Sequence, residues 1–297
     1  MTVPNTEPHL PSIESLALPR SSVQFSVRSY GLTDRGRVRP SNEDQFAIVE
    51  LARTLSVHGT SVPQSKTQYS SHRGHIFVVA DGMGGHQAGE VASAITVMTI
   101  EGFLLNTLKR FFNLQSTDEQ TVLKEFQSAL LQADARIFEE AAGHPEMLGM
   151  GTTLTMALAV DWRLFIAHAG DSRCYLYSRN QLHQLTQDHT LVAAMVRSGA
   201  MSAKDAAGHR LRHAVTNAVG GSQPGVQVEV HKLDLEPGDI LLVCSDGLTE
   251  MLADAHIAAV IASDPDPKII CERLVADANQ QGGKDNITVV VGVFPAP

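Results

Sequence analysis

Short, unbroken apolar runs decide what this chain can fold into: IFVVA at 76–80, ILLVC at 240–244 and ITVVVGVF at 287–294. Such runs read as strands, and they fall well short of the roughly 20 apolar residues that span a bilayer. With the alternating segments they predict strands near 24–30, 45–50, 75–80, 150–160, 163–169, 173–178, 226–233, 239–245 and 286–294. Helical spacing covers 87–113, 118–142, 189–199, 250–262 and 266–281. Strict strand–helix alternation is absent. The short links VDWR at 160–163 and SRNQ at 178–181 instead read as antiparallel hairpin turns. Long helices come in pairs, so each pair is expected to cover one sheet face. The fold class this predicts is α+β, with two antiparallel sheets packed together and helices outside. The Ser-, Thr-, Gln- and His-rich segment 51–74 is expected to be a long surface loop. Residues 187–225 carry Arg197, Lys204, Arg210 and Arg212 against Asp188 and Asp205, a locally basic patch.

That patch sits in an acidic chain. Its 23 Lys and Arg face 32 Asp and Glu, a net charge of −9, which argues against binding nucleic acid through its phosphates. Cys174, Cys244 and Cys271 are too few and too scattered for a disulfide framework or a zinc knuckle. The start of the chain carries Glu7, Glu14 and prolines without a basic opening and an apolar run, so it does not read as a signal peptide. The expectation is a cytoplasmic protein with no membrane contact: a flexible tail over residues 1–22, then one domain over 23–297.

The apolar runs share an ending. IFVVA runs into Asp81-Gly82, LFIAHAG into Asp171-Ser172, and ILLVCS into Asp246-Gly247. Asp44 precedes QFAIV, and Asp285 precedes NITVVVGVF. Any one Asp-Gly or Asp-Asn pair can simply mark a turn. In antiparallel sheets, however, the end of one strand lies beside the start of its neighbour, so five carboxylates can meet at one rim. Clustered carboxylates repel one another and stay ionised readily only with cations among them. All-oxygen donors favour Mg²⁺ or Mn²⁺ over Zn²⁺, and five charges suit two divalent ions with charge to spare for a third. Two such ions can share and acidify a water for attack at phosphorus. Arg39, just before Glu43 and Asp44, can reach the same rim as a fork-shaped phosphate donor.

In order along the chain stand TDRGRVRPSNEDQ at 33–45, VVADGMGGHQAGE at 78–90, MGTT at 150–153, AGDSR at 169–173, LTQDHT at 185–190, SDGLTE at 245–250 and KDNITVVV at 284–291. Together these resemble the metal-dependent serine/threonine protein phosphatases of type 2C in their compact bacterial form. The match runs over roughly residues 26–294. The resemblance implies an αββα sandwich with a binuclear Mn²⁺/Mg²⁺ centre between the sheets. It implies hydrolysis of phosphoserine and phosphothreonine by direct attack of a metal-bridging hydroxide. Asp81 then matches the carboxylate that bridges both ions, with the Gly82 carbonyl as a further ligand; Asp246 and Asp285 match ligands of the first ion. Asp44 and Glu43 match acidic residues around the metal-bound waters, with direct contact left open between them. Asp171 with Asp246 matches a third, weaker ion site, and Arg39 the phosphate-binding arginine. The 187–225 segment takes the place of a flap beside the cleft. Animal relatives carry a proposed general-acid histidine after the Asp-Gly pair. Met83 stands there in this chain, and His86 is the nearest replacement, expected near a helix N-terminus. The implied partners are phosphorylated proteins and a cognate serine/threonine kinase, and a monomer is expected.

Other chemistries fit less well. No cysteine has the Arg spacing that a thiol phosphatase needs, so all three read as small core residues. The glycines after IFVVA fail the dinucleotide fingerprint because Gln87 stands where its last glycine belongs. A catalytically weak phosphatase fold used as a binding or regulatory module is the remaining alternative. Such a module is expected to have lost metal carboxylates, and here all five aspartates and Arg39 are present.

Overall fold

A computed structural model describes residues 26–56, 67–84, 88–111, 119–160 and 162–295. The apolar runs are unbroken because their strands are buried on both faces. In β3 (Thr67–Met83), Ile76, Val78 and Ala80 pack with helices α1 (Ala88–Phe111) and α2 (Glu119–Gly143), while Phe77 and Val79 face the other sheet. In β11 (Ile240–Cys244), Ile240, Leu242 and Cys244 pack with helices α6 (Asp254–Ser263) and α7 (Pro267–Gln280), while Leu241 and Val243 face inward. Period-two alternation thus feeds three apolar layers, one between the sheets and one under each helical layer. The result is the expected four-layer sandwich.

One sheet has the order β1 (Arg28–Asp34), β12 (Ile287–Val293), β11, β7 (Arg173–Ser178), β8 (Gln181–Gln184). The other runs β10 (Glu229–Asp234), β6 (Arg163–Ala169), β5 (Leu154–Val160), β3, β4 (Gly151–Thr152), β9 (Val219–Gly220), with β2 (Asp44–Ser56) also on β3. All of these pairs are antiparallel. The SRNQ turn holds Arg179 and Asn180 at φ +52° and +63°, the left-handed pair a two-residue hairpin needs. Helix α7 starts where Pro267 follows Asp266, whose carboxylate accepts from the Lys268 N–H.

Two expectations are corrected, and one helix calls for comment. Segment 51–74 is not one loop: β2 continues to Ser56 and β3 begins at Thr67, paired with each other, and only 57–66 lie outside the described residues. Ladder bonds join backbones, so the polar side chains that suggested a loop did not prevent pairing. The helices read at 189–199 and 250–262 shorten to α3 (Leu191–Arg197) and α6, with α4 (Ala203–Ala207) and a single turn, α5 (Asp246–Thr249), nearby. Finally, one described helix stretch, Ala88–Asn106 at mean hydropathy 1.4, is long and apolar enough to cross a bilayer. Ala92, Ile100 and Leu104 on it are buried against the sheet and α2, so its apolarity serves the core. The tail 1–22 lies outside the described residues.

Candidate metal centre

Antiparallel register brings the aspartates together. Asp44 opens β2 directly opposite Asp81 on β3. The backbone of Asp81 is held independently of its carboxylate: its N–H donates to Thr153 Oγ1 at 3.0 Å, and its carbonyl accepts from the Thr153 N–H at 2.9 Å and the Thr152 hydroxyl at 2.8 Å. Asp246 follows β11, Asp285 precedes β12, and Asp171 lies in the turn between β6 and β7. Asp81, Gly82, Asp171, Asp246, Asp285, Glu43 and Arg39 all line one cleft of about 880 Å³.

Gly82 is required by contact. A Cβ there would meet the Gly89 carbonyl oxygen at 2.2 Å, so α1 starts against the strand end. Asp44 lies behind the cleft wall, only 2% exposed. Its Oδ2 accepts from the Ser245 and Thr288 hydroxyls, each at 2.7 Å, while Oδ1 has no partner. Asp246 Oδ1 is buried without a partner as well. Asp285 accepts from Arg39 Nη2 at 2.5 Å and from the Asn286 N–H at 2.9 Å.

The charges are crowded. Burial pushes the Asp44 carboxyl up to about 6, against the downward pull of the Thr288 and Ser245 hydrogen bonds and with Asp285 adding to the rise. Burial and Asp188 push Asp171 up to about 6. Burial pushes Asp81 well above the carboxylate range, with Asp44, Asp246, Asp171 and Asp285 adding to it. Asp246 is raised in the same way by burial, Asp171 and Glu250. A cradle of hard oxygen donors, two of them buried and unpartnered, fits Mg²⁺ or Mn²⁺.

Three contributors were not singled out from sequence. Asn286 accepts from the Glu43 N–H at 2.8 Å and donates to the Arg35 and Ser41 carbonyls at 3.0 and 2.9 Å, which ties the Arg39 loop to the start of β12. Glu250 lines the cleft four residues after Asp246, one helical turn on, and that spacing is the signal that could have found it. His213 from the 187–225 segment pairs with Glu250, and Arg212 beside it also lines the cleft. His86 lies outside the described residues. The cysteines are buried and free, and burial pushes the Cys244 and Cys271 thiols up to about 12 and Cys174 higher still. None is a nucleophile in waiting.

Comparison with known proteins gives the family and the fold. The family model described as protein phosphatase 2C matches residues 61–267. The chain is 33% identical over 259 residues to the serine/threonine phosphatase stp of Listeria innocua, covering 87% of this chain and 92% of that protein. Among solved structures it is similar to the serine/threonine phosphatase Stp1 of Staphylococcus aureus, with TM-score 0.75, 25% identity and coverage of 95% of this chain and 100% of that one. It is also similar to the catalytic domain of the phosphatase PstP in complex with two manganese ions, with TM-score 0.70, 28% identity and coverage of 91% and 99%.

Proposed function

The chain belongs to the protein phosphatase 2C family, and from that premise we propose that it hydrolyses phosphoserine and phosphothreonine in proteins as a metal-dependent phosphatase. The observation that carries this reading is the convergence of four aspartates, from separate strand ends, on one cleft that also holds an arginine, with a fifth, Asp44, buried opposite Asp81 behind its wall. Asp81, Asp246, Asp285 and the Gly82 carbonyl would hold two Mn²⁺ or Mg²⁺ ions, with Asp44 and Glu43 ordering water beside them. Asp171 and Asp246, with Glu250 next to them, would hold a third. Ions bound there supply positive charge against phosphate oxygens and acidify water.

The protein's own groups do the rest. Ser245 and Thr288 donate to one oxygen of Asp44 and so aim the other. Asn286 sets the height of the Arg39 loop. Arg39 spends one N–H on Asp285, and its remaining N–H groups are available to a phosphate. The same reading assigns a cognate serine/threonine kinase as the opposing enzyme, a cytoplasmic location and a monomer.

The direct test is turnover of p-nitrophenyl phosphate with Mn²⁺ against excess chelator. Mn²⁺-dependent turnover is expected, and none at any Mn²⁺ level would favour a binding module instead. Arg39→Ala is expected to raise KM for a phosphopeptide about tenfold with kcat changed less, because it removes binding shared by ground and transition states. Steady-state kinetics reads this directly, and an unchanged KM removes Arg39 from phosphate binding.

A further inference from the structure

A second group of potential ligands lies outside the cleft: His168 on β6, His189 before α3 and Glu229 on β10, with nitrogen and oxygen atoms within 4.8 Å of one another. Its hydrogen bonds exclude a metal there. His189 Nδ1 lies 3.1 Å from the Gly170 backbone N–H and 2.9 Å from Asn217 Nδ2. Asn217 Oδ1 accepts from the Gln227 N–H at 2.9 Å, which fixes its amide so that Nδ2 is the atom facing His189. Nδ1 is therefore an acceptor, the ring hydrogen sits on Nε2, and Nε2 donates to Glu229 Oε2 at 3.2 Å. His168 Nε2 lies 3.1 Å from the Gln187 carbonyl, which can only accept, so it too carries a hydrogen.

The same bonds show what His189 ties together. Gly170 precedes Asp171, sits at φ +117° and is buried. Its N–H finds His189 Nδ1, and its carbonyl accepts the His189 N–H at 2.8 Å. The His189 carbonyl accepts from the Thr216 N–H and hydroxyl at 2.8 and 3.0 Å. Thr190 bridges Val215, and the Leu191 N–H donates to Ala214 at 2.9 Å. One residue thus joins the entry and exit of the 187–225 segment to the turn carrying Asp171. Between those roots the segment carries Arg212 and His213 into the cleft.

We propose that His189 is a positioning residue: its Nδ1 clasps both roots of the 187–225 segment to the Gly170–Asp171 turn and so sets where that segment stands over the substrate. The consequence for catalysis rests on the phosphatase reading above; the clasp itself does not. Two substitutions separate the ring's two edges. Asn presents an oxygen where Nδ1 stands and keeps an acceptor for Gly170. Gln presents an N–H where Nε2 stands and keeps the bond to Glu229 only.

Amide hydrogen exchange on the metal-free full chain reads the clasp without activity. His189→Gln is expected to speed exchange at Gly170 and Thr216 about tenfold or more, with His189→Asn close to wild type. In steady-state kinetics His189→Gln is expected to raise the phosphopeptide KM about tenfold while kcat on p-nitrophenyl phosphate falls much less, and His189→Asn is expected to restore the KM. Unchanged exchange at Gly170 in His189→Gln, or equal KM values for the two variants, overturns the proposal. A wild-type chain without turnover would overturn the phosphatase reading, and the exchange measurement would still decide the clasp.

Discussion

Asp81→Asn and Asp246→Asn each lose turnover by at least about 10³-fold at saturating Mn²⁺, about 4 kcal/mol of transition-state stabilisation, while staying folded. The loss follows from removing a charged oxygen from a set whose function is to hold cations. Folding survives because neither carboxylate supports the backbone around it. Asp81 is held through its own N–H and carbonyl by Thr152 and Thr153. Asp246 Oδ1 has no hydrogen-bond partner to lose. Each substitution also removes one charge from a crowded, buried set, so the metal-free variants are expected to melt at or above the wild type. Mn²⁺ should raise the wild-type Tm and leave that of the variants nearly unmoved. Kinetics with thermal melts, with and without Mn²⁺, checks both halves. A variant within tenfold of wild-type turnover would refute the ligand assignment.

The parts of this site that were legible from sequence are those where burial and register leave a mark on residue type. Runs such as IFVVA and ILLVC are apolar at every position because alternate side chains enter different layers, so they stand out as strands. An aspartate closing such a run is conspicuous for the same reason, and antiparallel pairing then places Asp44 opposite Asp81. Elsewhere the signal fades. The strand Gln181–Gln184 is short and exposed at a sheet edge, and the paired residues 51–56 and 67–74 resemble a loop in composition because ladder bonds join backbones whatever the side chains. Two-residue β9 has no periodicity to read. Asn286 and His189 act through contacts to distant segments, which a single sequence does not display. Asn286 bridges across 245 residues to Ser41, and the KDN string shows only that an amide follows an aspartate.

The Mn²⁺-induced rise in Tm is expected to be small near pH 5 and to grow to about 10 °C by pH 8. In the metal-free fold burial pushes Asp44 and Asp171 up to about 6 and holds Asp81 and Asp246 well above the ordinary carboxylate value of 3.8. A carboxyl raised in the folded state contributes stability that is complete below the unfolded value and is lost as pH rises through the folded one. Asp44 and Asp171 would each forfeit at most about 3 kcal/mol. His168 opposes this. Burial and His189 hold its imidazole down to about 4, so its contribution is present above about 6.5 and fades as pH falls. That term belongs to both metal-free and metal-loaded protein and cancels in the difference between them. What remains is competition between protons and Mn²⁺ for the same oxygens. At pH 5 the ions must displace protons the fold prefers to keep, whereas at pH 8 they relieve bare charges. At a thousandfold excess over Kd the stabilisation is about 4 kcal/mol, which at about 2–3 °C per kcal/mol for a chain of this size gives the expected shift. Melting curves at pH 5, 6, 7 and 8, with chelator or Mn²⁺, read it. A Tm rise equal at every pH would mean that Mn²⁺ binds away from these aspartates, because only ligands that must shed a proton make the metal's grip depend on pH.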